Sequence, residues 1–435
     1  MDIFVQRNDG QGLQMSEDYQ VLKGKLHRYL IATIEEEGAP ITEWSKEHVR
    51  RYAEGKINTF INEHRLAINR REVEALAADM VDELLGLGPL QRLVDNDDIN
   101  DILVNGCKTI FVERRGKLER TNLRFIDDAH VLRIIQRILA PLGRRVDEST
   151  PMVDARLSDG SRINAIIPPL ALDGPSLSIR KFRKDPLRAG DLLAYKTLSE
   201  EMLVFLRRAV LARCNLLITG SSGAGKTTLL NVLSQYIPHE ERIVTIEDAA
   251  ELQLGHPHVV RLESRPPNLE GKGEVTMRDL VRNALRMRPD RIIVGEVRSV
   301  EVLDMLQAMS TGHDGSMGTL HANNPRDALN RLEMLVGFAG YAGSEQTLRQ
   351  QVASAVDMIV HVGRLPTGER KVLFINELTG MADGNYTMQE LFYYDLLANR
   401  FVRRDIKPHS PKLERLVEPM AERREESLFG MPTYG

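Results

Sequence analysis

Four stretches of this chain place phosphate-handling residue types at usable spacings. Residues Gly220 to Thr227 read GSSGAGKT and fit the pattern G-x-x-x-x-G-K-[ST]. The apolar run Asn215-Leu216-Leu217-Ile218 before it has strand length, and Lys226 to Leu233 after it has helical period. Strand, glycine loop and helix in that order aim successive backbone N–H groups and a helix N-terminus at one anion. Glycine lets such a loop close around a phosphate without an intervening Cβ. The nucleotide-binding set is Gly220, Ser221, Ser222, Gly223, Ala224, Gly225, Lys226, Thr227 and Thr228. Within it Lys226 would reach the β- and γ-phosphates, and the Thr227 hydroxyl would ligate Mg²⁺.

Downstream, Arg291-Ile292-Ile293-Val294-Gly295-Glu296 is an apolar strand ending in a carboxylate. In a nucleotide-binding sheet that strand is expected beside the loop strand, with Glu296 facing the metal and the attacking water. There it would orient the water, accept its proton or hold Mg²⁺ through water. Ile243 to Glu251 is a second strand ending in acids, Glu247, Asp248 and Glu251. Glu247 is the rival for water activation or water-mediated metal support, although acids also suit a helix N-terminus. Thr319-Leu320-His321 closes a short strand and would bring the His321 ring near the γ-phosphate; His313, earlier in the same Gly-rich stretch, is the weaker candidate.

Arginines are the remaining chemistry. Arg156, Arg162, Arg180 and Arg183 cluster before the loop domain, and a planar, permanently charged fork suits charge developing on a transferred phosphoryl group. Arg278, Arg282 and Arg286 recur every four residues and would line one face of a helix toward a neighbouring subunit or a pore.

Positioning these residues needs several domains, because 435 residues exceed one ordinary core. Residues 1–15 read as a disordered tail. Residues 16–88 carry three amphipathic helices, with apolar stripes through Leu22, Leu26 and Leu30, through Val49, Ala53 and Ile57, and through Val73, Leu76 and Met80. Asn69 with Glu72 predicts an N-cap for the third. Residues 89–181 read as an α+β domain, with hairpins at Asn105-Gly106 and Asp159-Gly160, a helix from about Asp127 and a strand at 177–180. Residues 182–197 read as a linker punctuated by Pro186 and Gly190. From 198 to 435 strands and helices alternate, with strands expected at 215–219, 242–247, 258–262, 291–295, 315–320, 357–363 and 371–378, ending in a charged tail.

A net charge of -4 offers no broad basic footprint, so direct nucleic-acid binding is not expected. Two cysteines far apart fit neither a zinc knuckle nor a redox dithiol and suit a reducing compartment. No run approaches 18 apolar residues, and the first ten include Asp and Arg where a leader would be apolar.

Taken together, GSSGAGKTT, IEDAAEL, RIIVGEVR and TGHDGSMGTLHAN resemble, in order, the Walker A, Asp, Walker B and His boxes of the secretion-ATPase superfamily. That group drives type II and type IV secretion, type IV pili and archaeal filaments. The helical extension, the lack of a tetracysteine module, and the VDARL and LSIRKF segments look most like the tight-adherence (Tad/CpaF-type) pilus ATPases. Ala249-Ala250 depart from the commoner Asp box. The resemblance implies an α/β fold, a RecA-like P-loop ATPase core preceded by a PAS-like α+β domain and an N-terminal helical bundle. It implies ATP and Mg²⁺ as cofactors, nucleotide between the domains, and a homohexamer docked peripherally at the cytoplasmic side of the inner membrane. Its partner would be a platform protein of a pilus or secretion machine. By the same resemblance Glu296 leads as catalytic acid, Glu247 rivals it, Lys226 and Thr227 bind phosphate and Mg²⁺, His321 senses nucleotide, and Arg156, Arg162 and Arg180 act as inter-domain or inter-subunit fingers. A related motor for type IV secretion of DNA or protein is the alternative.

Overall fold

The structure is a computed structural model that describes residues 17–414 apart from 115, 183–185, 266 and 268–271. The expected tail over 1–15, the charged end beyond 414 and Arg183 lie outside the described residues. The chain divides after residue 183 into two compact units.

In the first unit the apolar stripes form α1 (Glu17–Glu37), α2 (Lys46–Glu63) and α3 (Arg70–Leu84). Leu26, Leu30, Ile57, Leu76 and Met80 meet in one buried cluster. Asn69 and Glu72 make the reciprocal capping box that their spacing predicts. After the single turn α4 (Gln91–Val94), β1 (Ile99–Asn105) and β2 (Thr109–Arg114) pair antiparallel across Asn105-Gly106. β3 (Lys117–Arg120) follows; as an edge strand with every residue exposed it shows no apolar alternation that would announce it in the sequence. α5 (Asp128–Leu139), β4 (Met152–Arg156), β5 (Arg162–Ile166) and β6 (Ser176–Arg180) complete an antiparallel sheet ordered β3-β2-β1-β6-β5-β4. The helix buries Val131, Ile134, Ile135 and Ile138 against it.

A buried ionic cluster stitches α1 and α3 to this layer. Glu83 lies 2.9 Å from Lys23 Nζ through one oxygen and 2.9 Å from His130 Nε2 through the other. Arg137 donates to the Glu83 and Gly86 carbonyls at 2.8 and 2.7 Å, and the Tyr19 hydroxyl donates to Asp79 at 2.8 Å. Paired in this way, the charges avoid the desolvation cost of isolated ions.

The second unit begins inside the expected linker. Residues 189–194 form α6 (Ala189–Ala194), whose Leu192 is buried in the core; apolar Leu192 and Leu193 outweigh the Pro and Gly punctuation. There follow α7 (Glu200–Leu211), β7 (Leu216–Gly220), α8 (Lys226–Ser234), β8 (Ile243–Glu247), β9 (Val259–Glu263), α9 (Met277–Ala284), β10 (Arg291–Val297), α10 (Glu301–Ser310) and β11 (Met317–His321). The unit continues through α11 (Pro325–Phe338), α12 (Glu345–Ala355), β12 (Met358–Arg364), β13 (Arg370–Ala382), β14 (Asn385–Asp395), β15 (Arg400–Arg403) and α13 (Pro411–Glu414).

Its nine strands run β15-β14-β13-β12-β7-β11-β10-β8-β9, parallel from β12 to β9 and antiparallel from β13 outward. Leu216 and Ile218 of β7 pack with α7 and α8 on one face, and Leu217 with α9 to α12 on the other. Burial on both faces is why β7 reads as a continuous apolar run. β14 and β15 went unread because their residues are half-buried and interspersed with polar ones.

One expectation is corrected. β10, which carries Glu296, does not lie beside the loop strand; β11 stands between them. Parallel neighbours are chosen by where crossover helices return the chain, which a strand's own sequence does not encode.

Candidate active site

At the sheet's carboxyl edge, strand order becomes chemistry. Gly220 ends β7, and its register partner on β11 is His321. Beyond His321 come Glu296 of β10 and then Glu247, which ends β8. Open α/β sheets bind ligands at this edge because loops and helix N-termini converge there.

The loop itself is anchored by Lys226, the first residue of α8, which is buried. Its Nζ donates to the Ser221 carbonyl at 3.0 Å and lies 3.4 Å from His321 Nδ1. On the other side of that ring, His321 Nε2 is 2.5 Å from Glu296 Oε1. An ammonium can only donate, so Nδ1 accepts and the neutral ring carries its proton on Nε2; the Nε2–Oε1 approach is a close contact without hydrogen-bond geometry, and Glu296 Oε1 has no hydrogen-bond partner among the described residues. Burial and then the Lys226 charge lower the His321 pKa against the pull of Glu296, which favours this neutral form. Arg298 holds the second Glu296 oxygen at 2.6 Å and approaches Asp248 at 3.7 Å. Burial opposes charge on Glu296, but the Arg298 hydrogen bond and charge, with the Lys226 charge, hold its carboxyl below the ordinary value.

Glu247 is built differently. It is 3% exposed, and Oε1 accepts the N–H groups of Glu251 and Leu252 at 2.7 and 2.9 Å. Its Oε2 is buried without a hydrogen-bond partner among the described residues. Burial raises its pKa, partly offset by those two backbone donors. The side chain crosses Gly295, where any Cβ would stand 2.7 Å from Glu247 Cγ; glycine next to Glu296 is what lets the two acids come together. Asp248 instead accepts from Ser264 Oγ at 2.7 Å, and Glu251 contributes its backbone.

A cavity of about 540 Å³ opens beside the loop, lined by Ser221, Ser222, His321, Asn323, Asp327 and Arg331 among others. Thr227 and Thr228 are half-buried at the start of α8. Behind the edge, buried His361 takes 2.9 Å contact from Thr219 Oγ1 and bonds the Asn323 backbone, tying β7, β12 and the segment after His321 together. Arg370 donates to the Gly223 carbonyl at 2.9 Å.

The model of the type II/IV secretion system protein family matches residues 83–379. A putative conjugal transfer protein of Mycobacterium tuberculosis is 40% identical over 319 residues, 72% of this chain and 90% of that protein. The chain belongs to the type II/IV secretion ATPase superfamily. A probable conjugal transfer protein TrbB of Sinorhizobium fredii is 31% identical over 300 residues, 68% of this chain and 88% of that one. Among solved structures, that of the VirB11 ATPase of the Brucella suis type IV secretion system, in complex with sulphate, is 28% identical, covers 69% of this chain and 96% of that one, and has a TM-score of 0.37.

In this secretion ATPase the structure gathers Lys226, His321, Glu296 and Glu247 at one edge. It does not gather all the candidates. His313 lies before β11, at the opposite end of that strand from His321. Arg278 and Arg282 both donate to Asp304 at 2.8 Å, and Arg286 lies beyond the end of α9, so two of the three arginines of the expected basic stripe share one carboxylate within the chain. In the first unit, strand register sets Arg156 opposite Arg162 and Arg162 opposite Arg180, a row across β4, β5 and β6. Arg298, Arg370 and His361 escaped the sequence reading. Arg298 had a signal, since a strand's two-residue period puts it on the same face as Glu296. The other two act through a backbone carbonyl and a buried hydroxyl, which leave no spacing to read.

Proposed function

We propose that this secretion ATPase hydrolyses Mg²⁺-bound ATP at the β7–α8 loop. The Lys226–His321–Glu296 chain carries that reading, because it joins the phosphate-binding lysine to a carboxylate on the second strand away. Glu296 is the acid that orients or deprotonates the attacking water, and His321 reports the state of the phosphates to it. Glu247 supports the same water from β8. Hard oxygen donors fit Mg²⁺. Thr227 would bind it directly, and Glu296 and the unpartnered Glu247 Oε2 through water. Among the described residues, no group of three or more His, Cys, Asp or Glu could hold a metal ion, so phosphate oxygens would complete the shell. Mg²⁺ would supply charge neutralisation on the phosphates.

In this reading the chain works as a homohexamer, and Arg156, Arg162 and Arg180 act as fingers toward the phosphates within or between subunits. Closure and reopening convert hydrolysis into movement of an inner-membrane platform protein. No helix among the described residues is long and apolar enough to cross a membrane, and peripheral docking at the cytoplasmic side of the inner membrane follows from that partner. The helical extension and the VDARL and LSIRKF segments favour assembly, with retraction also open to such a motor, of a tight-adherence type IV pilus. Similarity to proteins named for conjugal transfer favours the second reading, export of DNA or protein. Deleting the gene separates them. Loss of surface filaments supports the first reading, and loss of transferred DNA with filaments intact supports the second. Phosphate release by the purified chain, abolished in Lys226→Ala, tests the activity itself.

A further inference from the structure

The start of β13 touches two places that a motor needs to connect. Arg370 Nε donates to the Gly223 carbonyl at 2.9 Å, inside the phosphate loop. Its stem lies against Gly225, where an added Cβ would stand 3.4 Å from Arg370 Cδ. Gly225 has φ +101°, a conformation glycine adopts at little cost. The next residue, Lys371, is 3% exposed and donates to the Lys196 carbonyl at 2.9 Å. Val372 N–H then donates to the Thr197 carbonyl at 2.7 Å. Lys196 itself has φ +52°, a left-handed conformation rare outside glycine, just past the end of α6. A cation on that terminal carbonyl is favourably placed.

We propose that Arg370 is a positioning residue for the phosphate loop, and that Arg370 and Lys371 together link that loop to the chain entering the second unit. The inference rests on the reading of the loop as the ATP site. A peptide unit is planar, so fixing the Gly223 carbonyl on Arg370 fixes the Ala224 N–H on the other side. There it meets the Ser221 carbonyl at 3.3 Å, within the loop. Arg370 thus orients a loop amide without touching the phosphates. Successive residues of a strand point to opposite faces, so a shift of Gly223 reaches residues 196–197 through one rigid strand. The left-handed Lys196 is where strain can be taken up or released.

The test uses the full chain, Mg²⁺ with a fluorescent ATP analogue for binding, phosphate release for turnover, and amide hydrogen exchange at Thr197 and Val372 with and without a non-hydrolysable ATP analogue. In the parent protein, analogue should change exchange at both amides. Arg370→Ala should raise KM for ATP ~10-fold with kcat changed less than ~2-fold, as loss of a charge-assisted hydrogen bond in ground-state binding predicts, and should remove the exchange response. Arg370→Lys, which keeps the stem and a donor, should fall between the two in KM and holds as the test if the alanine variant does not fold. Lys371→Met should leave KM within ~2-fold and still remove the response at Thr197. If the parent protein binds ATP but Arg370→Ala and Arg370→Lys keep its KM, or if the response survives in Lys371→Met, the link is refuted and the ATP site stands. If the parent protein binds no ATP, the reading of the loop falls instead.

Discussion

His321 Nε2 and Glu296 Oε1 stand 2.5 Å apart at the ends of two adjacent parallel strands. The same ring meets Lys226 through Nδ1 at 3.4 Å. One imidazole therefore stands between the Lys226 ammonium on one nitrogen and the candidate catalytic acid on the other. In the proposed mechanism, a change in what Lys226 binds would change the contact at Nδ1, and the ring would carry that change toward Glu296. Arg298 holds the other Glu296 oxygen at 2.6 Å, which restrains that acid before any water reaches it.

Removing the charge of Glu296 while keeping its shape separates binding from chemistry. Glu296→Gln should bind the fluorescent ATP analogue as the parent does and lose ~10²- to 10⁴-fold in turnover, the range for loss of a positioned acid or base. Phosphate release and a melting curve measure the two effects. Turnover near the parent rate in a folded variant would remove Glu296 from the mechanism.

The proposed mechanism assigns the acid limb of the pH profile to His321. Its pKa is lowered by burial and by Lys226, so the ring stays neutral as pH falls through the ordinary histidine value of ~6.5. Turnover should hold through that value and decline only below it, when protonation of Nδ1 removes the acceptor facing Lys226. In His321→Gln the limb should vanish. A limb of unchanged position in that variant assigns it to another group.

Gly295 controls Glu247. In Gly295→Ala the new Cβ would meet Glu247 Cγ at 2.7 Å, displacing the carboxylate from the Glu251 and Leu252 amides. Overpacking and freed buried donors predict a loss of ~1–3 kcal/mol, together with reduced turnover. Glu247→Gln keeps Oε1 as the acceptor, so its stability should change less while its turnover reports the carboxylate's own share. Urea denaturation and phosphate release distinguish the two. Parent-like stability in Gly295→Ala would show that the acid has room the structure does not give it.

Acid should weaken both units through named groups. Burial holds His361 down to about 4, whereas in the unfolded chain it protonates near ~6.5. Between those values the unfolded state binds more protons, so stability falls as pH falls, by about 3 kcal/mol in total. In the first unit burial lowers His27 to about 4, with the same sign and window. Glu83 is held at about 2 despite burial, by His130 and Lys23; its contribution is present above the unfolded value of ~4.3 and is lost between there and about 2. Urea midpoints at pH 7, 5.5 and 4.5 should fall in that order, and His361→Gln should flatten the first part of the slope. A midpoint that rises on acidification to pH 5.5 would contradict the buried-histidine account.

Much was readable from spacing. The loop, the three motif strands and the α3 capping box depend on residues near one another in the chain, where local geometry and the two- and 3.6-residue periods apply directly. β3 is not legible because every residue is exposed, β14 because its apolar residues do not alternate with polar ones, and β15 because four residues are too few to show a period. Asn215 shows the limit most clearly. It looked like the polar start of an apolar run, yet it is fully buried, donates to the Met309 and Ala355 carbonyls at 3.0 and 2.7 Å, and accepts from Gly315 and Ser316 at 2.8 and 3.1 Å.

The chain's own pattern was enough to point to a phosphate loop with acids and a histidine beside it, and to the secretion-ATPase superfamily to which the chain belongs. Only tertiary structure decided that β11 stands between the loop strand and the Glu296 strand, making His321 the bridge between them. It also decided that Arg278 and Arg282 are spent on Asp304, and that Arg298 and Arg370 serve the site. The reason is physical. Local motifs follow from backbone geometry over a few residues, whereas partners 50 or 150 residues apart are selected by how crossover helices pack and where buried charges find compensation.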